Sequence, residues 1–385
     1  MRKEVSMDPI RYGVSGMGAI ALRSHMPALN MMDDVRIVAL YNPSKENAEE
    51  GAALCQRRPD IVDRYEDLLA RPDVDCILIT GPNFVHKEQT VAALKAGKHV
   101  VCEKPMATNR EDALAVYDAA RGARTIYQIG LEMRYSNFYT KMAEIAHGGQ
   151  IGRPRMLLCK ELRWPFMPGS RGWRFDARRS GGALLEMNCH HFDLFNWLSG
   201  SRPVRVFASG GSDVNADGML DNAFIIVEYA NGVRACLDYC KFSPYGNDII
   251  ELTVIGEKGK LDSSASHHVI YQWGADRPDR TVYNVAMDPS FGDLEREPSQ
   301  KERWMLWERS MVYRQHRAFI QSIREGKRGP SPTPMWPCRA CWCRWRPCAP
   351  SRLAIRCRWS RDRTSARVRG AFLRCFPSPG PSNQG

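Results

Sequence analysis

The sequence feature that most constrains the fold is the regular alternation of apolar runs and helical segments over the first 130 residues. Each run precedes a stretch with helical periodicity, and two of these helices have a suitable cap residue, Ser44 and Asn109. Strands that alternate with helices of this length favour a parallel, doubly wound α/β sheet. The five runs begin at Ile10, Val35, Asp75, Lys98 and Thr125.

The pattern changes after Gly130. Asn231-Gly232 separates two β-type runs and is a strong hairpin signal. A second, α+β domain is therefore expected, with an open, mostly antiparallel sheet and helices on one face. The predicted helices cover about residues 137–147, 185–198 and 307–324, and the predicted strands cover about residues 155–162, 204–209, 223–229, 233–241, 248–255, 260–263 and 268–273.

The chain divides into four parts on this basis. Residues 1–8 are expected to be disordered, 9–130 to form the doubly wound domain, and 131–328 to form the second, α+β domain. After residue 328 the sequence mixes Pro, Trp, Cys and Arg with neither helical nor strand periodicity. We predict that residues 329–385 are an aberrant, disordered tail, and our hypothesis is a frameshift at about codons 326–332.

The net charge of +12 is concentrated in this tail. Eleven arginines and a single acid, Asp362, follow Pro330, so residues 1–330 carry only +2 and give no reason to expect a nucleic-acid partner. The tail itself leaves two alternatives open, because its arginines are interleaved with Trp and its cysteines begin with Cys338-x-x-Cys341. These alternatives are nucleic-acid binding and a metal cluster, although the cysteine spacing matches no standard zinc module.

The sequence contains neither a recognisable secretion signal nor an apolar run long enough to cross a bilayer. Seven cysteines are scattered through the first 330 residues, mostly beside apolar strand-like residues, as is usual for reduced thiols. We therefore expect a cytoplasmic protein without a membrane partner.

A glycine-rich turn directly follows the first predicted strand. Residues 16–21, with Met17 between the two glycines, have the form G-x-G-x-x-A and open a helix. Gly16 permits a tight turn, Gly18 lets the backbone approach a pyrophosphate, and Ala21 lets the helix pack close to the sheet. The helix N-terminus adds unpaired N–H groups and a positive dipole. In this strand–turn–helix context the motif predicts a dinucleotide site.

The end of the second strand is where the ribose hydroxyls are expected to bind. An acid is usual at this position, but the chain has Asn42, followed by Pro43, Ser44 and Lys45. A neutral residue with a hydroxyl and Lys45 nearby would tolerate a 2′-phosphate. A solvated loop with a helix cap is the alternative interpretation, and both NAD and NADP stay open as cofactors.

Two segments of the first domain resemble the Gfo/Idh/MocA oxidoreductase family. Residues 75–86 lead from a strand into P-N-x-x-H, and residues 93–105 contain A-G-K-H-V-x-x-E-K-P. The resemblance continues through Arg134-Tyr135, residues 180–193 and the final helix, so it covers about residues 9–328. It implies that residues 9–130 are a Rossmann domain that binds NAD(P) and that residues 131–328 are a domain for substrate binding and oligomerisation. The implied activity is that of an NAD(P)-dependent oxidoreductase, with cofactor contacts at Pro82, Asn83, His86, Glu103 and Lys104.

The resemblance also implies which side chains take part in the reaction. Lys104 would reach the reacting carbon, where an ammonium stabilises negative charge on the carbinol oxygen as hydride leaves. His190, which titrates near neutrality, suits the general base. The family has an Asp four residues before this His, whereas this chain has Glu186, which would orient His190 or relay its proton. Asp193 is expected on the same helical face.

The expected substrate is a sugar, a cyclitol or a related polyol, because aromatic and arginine side chains suit a polyhydroxylated ring. An ordinary packed helix is the alternative at His190. Zinc at Cys189, His190 and His191 is disfavoured because adjacent helical residues diverge, so no metal is expected. For the pocket residues, packing and surface salt bridges are equally open interpretations. The resemblance places four residues in the pocket, namely Arg134, Tyr135, Trp173 and His191.

A catalytically impaired nucleotide-binding member of the family is the second functional hypothesis. Its basis is the altered tail, which would leave the first domain incompletely covered. In addition, an open antiparallel sheet needs its exposed face covered, so a homodimer or homotetramer is expected.

Overall fold

The computed structural model describes residues 8–165, 172–214, 219–244, 248–264, 269–274, 279–285, 291, 300–327 and 353–358. The described chain forms two sheets, each packed against helices through its own hydrophobic core. The expectation of a disordered segment at residues 1–8 falls almost entirely outside the described residues, which begin at Asp8. The predicted combination of a parallel sheet followed by a mostly antiparallel one is confirmed.

The first sheet consists of β1 (Ile10–Ser15), β2 (Val35–Tyr41), β3 (Asp60–Val62), β4 (Cys76–Ile79), β5 (His99–Glu103) and β6 (Tyr127–Gly130). All pairings are parallel, in the order β3-β2-β1-β4-β5-β6. The central strand β4 is apolar and buried along its whole length because helices cover both faces of such a sheet. The strand order reverses between β1 and β4, which is where dinucleotides bind in doubly wound folds.

The helices of this domain are a π-helical turn (Ala21–His25) that continues into α1 (Met26–Asn30), then α2 (Lys45–Ala53), α3 (Tyr65–Ala70), α4 (His86–Lys95) and α5 (Arg110–Gly122). Both predicted caps are confirmed: Ser44 Oγ accepts from Asn47 N at 3.3 Å, and Asn109 Oδ1 accepts from Asp112 N at 2.9 Å. The sequence pattern missed β3 and α3, because elements of three and six residues are too short to show a clear period.

The second sheet has nine strands in the order β14-β13-β12-β11-β7-β10-β9-β8-β15, and only β7 and β10 pair in parallel. The strands are β7 (Pro154–Leu162), β8 (Pro203–Gly211), β9 (Asn222–Tyr229), β10 (Arg234–Cys240), β11 (Ile249–Gly256), β12 (Gly259–Ser264), β13 (Val269–Gly274), β14 (Arg280–Asn284) and β15 (Leu353–Arg358). The predicted Asn231-Gly232 turn joins β9 to β10, with Gly232 at φ +88°.

One face of this sheet packs against helices. The helices of the second region are α6 (Asn137–His147), α7 (Ala177–Ser180), α8 (Ala183–Ser199) and α9 (Gln300–Glu325). Residues of α6 and α8 share one hydrophobic cluster with β7, β9, β10 and β11, so the helices lie on one side as predicted. Trp173, before α7, and Glu186, at the start of α8, contact Phe84 and Lys104 of the first domain.

Helix α9 contributes to the hydrophobic cores of both regions. It belongs by sequence to the predicted domain of residues 131–328, yet Phe319 and Ile320 lie in the same buried cluster as Tyr12 of β1. Its N-terminal half packs on the second region, where Trp307 and Met311 lie in the buried cluster of that region, because an amphipathic helix must bury its apolar side. In the tail, β15 pairs with β8, which differs from the expected disorder at these six residues. The rest of residues 329–385 lies outside the described residues.

Candidate active site

Lys104 and the beginning of α8 meet where the parallel strands end. Lys104 directly follows β5, and its Nζ donates to the backbone carbonyl of Glu186 at 2.8 Å. The Glu186 carboxylate lies 4.0 Å from the same nitrogen. Burial alone would lower the pKa of Lys104, but Glu186, Cys189 and Glu103 outweigh it and hold this pKa above its usual value. The structure therefore presents a charged ammonium between the two domains.

His190 follows Asn188 and Cys189 in the buried part of α8 and is 5% exposed. Its Nε2 lies 3.5 Å from Glu132 Oε1, and its buried Nδ1 has no hydrogen-bond partner among the described residues. Burial, together with the charge of Lys104, lowers the pKa of His190 well below its usual value. The imidazole is therefore neutral at neutral pH and able to accept a proton.

Glu186 was expected to orient His190 or to relay its proton, and this role stays a prediction. The Glu186 carboxylate faces two cations, Lys104 and Arg174, with Arg174 Nε at 3.6 Å. These two positive charges stabilise the ionised carboxylate. Glu132 takes the place beside His190 instead, and burial raises the pKa of Glu132 well above its usual value.

Glu132 was missed by the sequence reasoning. It lies in the 3-10 turn Glu132–Tyr135, immediately after β6. Side chains at the carboxyl ends of parallel strands line the ligand crevice of such folds, so its position directly after the predicted fifth strand was an available signal. It belongs to none of the sequence motifs that indicated the other site residues.

The P-N-x-x-H segment fastens the two domains to each other. Asn83 Nδ2 donates to the carbonyl of Ser180 at 2.8 Å. His86 is fully buried, and its ring nitrogens lie 2.7 Å from the Pro105 carbonyl and 3.0 Å from the Gly81 carbonyl. Burial alone would lower the pKa of His86, but Cys102 and the two carbonyls raise it to about 9. His86, predicted as a cofactor contact, thus connects the turn at Pro82 with the turn at Lys104-Pro105 through its two ring nitrogens.

The glycine-rich turn forms an open cradle at the switch point. Gly16 has φ +99°, and a Cβ there would lie 2.5 Å from Gly81 N, so no side chain fits between these two turns. Ala21 is fully buried where the helix packs on the sheet. Gly18 stands at the start of the helical segment, where unpaired N–H groups attract phosphate. These features fit the pyrophosphate of a dinucleotide.

Asn42 is tied to this cradle at the end of β2. Its Oδ1 accepts from Met17 N at 2.9 Å, and its Nδ2 donates to the Ser44 carbonyl at 2.8 Å. Lys45 lies further out and forms an exposed ion pair with Asp63 at 3.2 Å. Exposed pairs of this kind contribute little, so Lys45 is free to exchange Asp63 for another anion.

Two predicted pocket residues lie in other surroundings. The Arg134 guanidinium forms a two-point ion pair with Asp193, with Nη2 at 2.9 Å from Oδ1, and lies 5.2 Å from the Trp197 ring. This pair holds the 3-10 turn against α8. Tyr135 lines a groove along α9, together with Arg314 and Gln321.

The other two predicted pocket residues lie close to the crevice. Trp173 packs edge-on against Phe84 of the P-N-x-x-H segment, with ring centroids 6.5 Å apart. His191 Nδ1 lies 3.1 Å from Glu161 Oε2 on β7, while its buried Nε2 has no hydrogen-bond partner among the described residues. The sequence reasoning did not identify Glu161, which also accepts from Asn188.

The adjacent histidines of α8 face different carboxylates, Glu132 for His190 and Glu161 for His191. Within the described residues there is no group of three or more His, Cys, Asp or Glu side chains arranged to hold a metal ion. In the same part of the chain, no helix combines the length and the apolarity that a membrane span requires.

A glycine cradle at a switch point, a charged lysine at the end of β5 and a neutral histidine on α8 define a nicotinamide-dinucleotide oxidoreductase. Two family models match the chain. The model described as the oxidoreductase family with an NAD-binding Rossmann fold covers residues 10–131, and the GFO/IDH/MocA C-terminal domain covers residues 139–262. The chain belongs to the Gfo/Idh/MocA family of oxidoreductases.

Similar proteins include inositol dehydrogenases. Myo-inositol 2-dehydrogenase of Thermotoga maritima is 29% identical over 66% of this chain and 74% of that protein. Inositol 2-dehydrogenase 3 of Saccharopolyspora erythraea is 31% identical over 66% of this chain and 72% of that protein. The structure of levoglucosan dehydrogenase with NADH and levoglucosan has a TM-score of 0.73 at 20% identity, covering 83% of this chain and 91% of that one, so the two share the fold.

Family and relatives agree on the reaction class. The chain is an NAD(P)-dependent dehydrogenase or reductase that acts on CH–OH groups, and its cofactor is NAD or NADP.

Proposed function

We propose that this protein transfers hydride between the nicotinamide of NAD(P) and a carbinol carbon of a sugar, cyclitol or related polyol, with Lys104 and His190 as the catalytic residues. The observation that carries the proposal is the position of the Lys104 ammonium, 2.8 Å from the Glu186 carbonyl on the helix that also bears His190. Inositol dehydrogenases among the relatives support a ring bearing several hydroxyls as substrate.

The two residues have complementary charge states. A charged Lys104 next to the carbinol oxygen stabilises the negative charge that develops there, and it does so more effectively in a buried site than in water. A neutral His190 accepts the hydroxyl proton through its free Nδ1. When bound, the nicotinamide supplies or takes up the hydride.

The cofactor would lie across the switch point. Gly16, Met17 and Gly18 would hold the pyrophosphate, and Asn42 would face the adenosine ribose. Pro82 and Asn83 would border the nicotinamide at the turn below Trp173. Because Asn42 is neutral and Lys45 is exposed, the same site would accept either ribose or its 2′-phosphate, and titration of the protein fluorescence with NADH and NADPH distinguishes the two.

The decisive test is the variant Lys104→Ala, assayed by nicotinamide absorbance against a panel of sugars and cyclitols. We expect kcat/KM to fall by about 10²–10³-fold while NADH affinity stays within about twofold, because the lost interaction acts on the transition state. Unchanged turnover would overturn the role of Lys104. Cofactor binding by the wild type without turnover of any polyol would instead support the alternative of an impaired nucleotide-binding protein.

We further propose that the protein is a homodimer or homotetramer that associates through the outer face of the second sheet. Phe207, Ile226, Cys236 and Leu158 form one cross-strand row over β8, β9, β10 and β7, and Phe207, Ile226 and Leu158 are 39–43% exposed. Phe224, beside this row, is 60% exposed. An apolar row of this kind on a sheet face favours burial against a second copy.

Light scattering after size-exclusion chromatography tests this assembly. We expect Phe224→Asp to shift the protein towards the monomer, because a charge in the apolar interface carries a desolvation cost. Val214→Asp, at an equally exposed apolar residue outside the row, is the matched control. A monomeric wild type would contradict the proposal.

A further inference from the structure

Beneath Lys104, four buried side chains form a continuous polar row that the proposed reaction does not use directly. Glu103 Oε1 lies 2.9 Å from His25 Nε2, and His25 Nδ1 lies 2.9 Å from His316 Nε2. The row ends where the Tyr12 hydroxyl lies 3.3 Å from His316 Nδ1. Glu103 is 7% exposed and the other three are fully buried. We name these four residues the Glu103 row.

The row joins distant parts of the chain. Glu103 ends β5, His25 ends the π-helical turn after the glycine cradle, and Tyr12 lies in β1. His316 lies on α9, the helix that returns from the second region, 291 residues after His25. A polar row through a core destabilises the fold unless each donor meets an acceptor, so its presence needs a physical reason.

The chemistry of the four groups sets the direction of the hydrogen bonds. An ionised Glu103 carboxylate only accepts, so His25 Nε2 must donate to it. His25 Nδ1 then accepts when the ring is neutral and donates when the ring is an imidazolium. His316 pairs with either state of His25 by changing tautomer: its Nε2 donates to a neutral His25 and accepts from a charged one. The Tyr12 hydroxyl correspondingly donates to His316 Nδ1 in the first case and accepts from it in the second. His316 therefore keeps His25 pointed at Glu103 in both charge states.

The charge states agree with this arrangement. Burial alone would raise the pKa of Glu103, but the hydrogen bond from His25 and the charge of Lys104 lower it below the usual value. Burial, with His25 nearby, lowers the pKa of His316 well below its usual value, so the ring stays neutral. A neutral His316 is what tautomer exchange requires.

The orientation of the Glu103 carboxylate directly affects the position of the Lys104 backbone. Its second oxygen, Oε2, accepts from the Lys104 backbone N–H at 3.2 Å. The carboxylate has little room to move on its other side, because a Cβ on Gly130 would lie 2.7 Å from Oε1. Its negative charge also helps to keep the Lys104 ammonium protonated.

We propose that His316 is a positioning residue for the reaction at Lys104, acting through His25 and Glu103. The inference rests on the proposed function and extends it to a residue on α9 that lies outside the crevice. Side chains that orient a reacting group in this way commonly contribute ten- to a hundredfold, as do the outer partners of metal ligands.

Three variants of α9 separate positioning from packing. His316→Leu keeps the ring's bulk but no polar atom, and we expect kcat to fall by about 10–100-fold with NADH affinity unchanged within about twofold. His316→Gln, whose amide both donates and accepts, is expected to retain kcat within about threefold. Ile320→Ala, in the same core but outside the row, is the control and is expected to lower Tm without lowering kcat.

Tyr12→Phe tests the row without a change of volume. It deletes only the hydroxyl at the far end, so kcat is expected to fall in the same direction by about two- to tenfold even if His316→Leu does not fold. Wild-type kcat in this variant, or in His316→Leu, would overturn the proposal. So would equal losses in His316→Leu and His316→Gln.

An activity-independent measurement keeps the inference distinct from the proposed function. In protein labelled with ¹⁵N-histidine, the His25 Nε2–H should give an exchange-protected imidazole signal, assigned by its loss in His25→Gln. The signal should persist in His316→Gln and vanish in His316→Leu. Persistence in His316→Leu would overturn the row, whereas an inactive wild type that shows the expected signals would overturn only the proposed function.

Discussion

Two groups of buried polar side chains lie near the end of β5, and they differ in whether their polar atoms have hydrogen-bond partners. On the core side, both oxygens of Glu103 and all ring nitrogens of His25 and His316 have hydrogen-bond partners. On the crevice side, four buried atoms have none among the described residues: Glu132 Oε2, Asn188 Oδ1, His190 Nδ1 and His191 Nε2.

This difference distinguishes the residues that hold Lys104 in place from those that would bind the substrate. Folded proteins pair nearly all their buried polar groups, and an unpaired group lowers stability by about 1–3 kcal/mol. Such groups are expected where a ligand completes the pairing. The satisfied side is therefore the scaffold that holds Lys104, and the unsatisfied side is where a polyhydroxylated substrate would find partners. The predictions below test this division.

The largest effect is expected on the unsatisfied side, from His190→Asn. Loss of the proton acceptor should lower kcat by about 10²–10⁴-fold. Because the pKa of His190 is lowered below its usual 6.5, the neutral base persists on acidification, and the acid limb of the wild-type rate profile should lie below pH 6.5. Rate measurements from pH 5 to pH 9 check both points.

The pH profile of this variant supplies its control. In His190→Asn the acid limb assigned to the histidine should disappear, whereas Lys104→Ala should retain it. An unchanged acid limb in His190→Asn would show that another group titrates and would separate His190 from proton transfer.

A smaller effect is expected from His191→Leu on the same side. Its Nε2 has no hydrogen-bond partner among the described residues, so if it binds a substrate hydroxyl as we propose, the substitution should raise KM for the polyol by about tenfold with little change in kcat. The substitution also removes the imidazole that contacts the buried Glu161 carboxylate, so Tm should fall as well. A fall in kcat with constant KM would instead place His191 with the scaffold.

The smallest effect is expected on the satisfied side, from Gly130→Ala, measured as stability. The new Cβ would meet Glu103 Oε1 at 2.7 Å and Glu103 Cα at 3.0 Å, so the carboxylate held by His25 would have to shift. We expect a loss of about 1–3 kcal/mol in the free energy of unfolding. Denaturant titration measures this loss.

Gly122→Ala is the matched control for this substitution. A Cβ at this last residue of α5 meets nothing within 4 Å, so stability should rise slightly, by about 0.4–1 kcal/mol. Equal behaviour of the two alanine variants would show that Glu103 is not held in one place.

Much of the fold followed from local sequence patterns. The cap residues Ser44 and Asn109, the Asn231-Gly232 hairpin and the glycine turn at Gly16 are local devices, because they depend on hydrogen bonds and dihedral angles within a few residues. The same patterns placed Lys104 directly after a strand of the parallel sheet.

The sequence by itself determined most of the elements and the nucleotide-binding class, and its family resemblance gave Lys104 and His190 as candidates for the reacting pair. Only the tertiary structure decided which partners these side chains have: Glu132 rather than Glu186 beside His190, and His316 of α9 behind His25. Periodicity and capping are properties of neighbouring residues, whereas the pairing of buried charges depends on which elements pack together. That packing joins residues hundreds of positions apart, and local patterns contain no information about it.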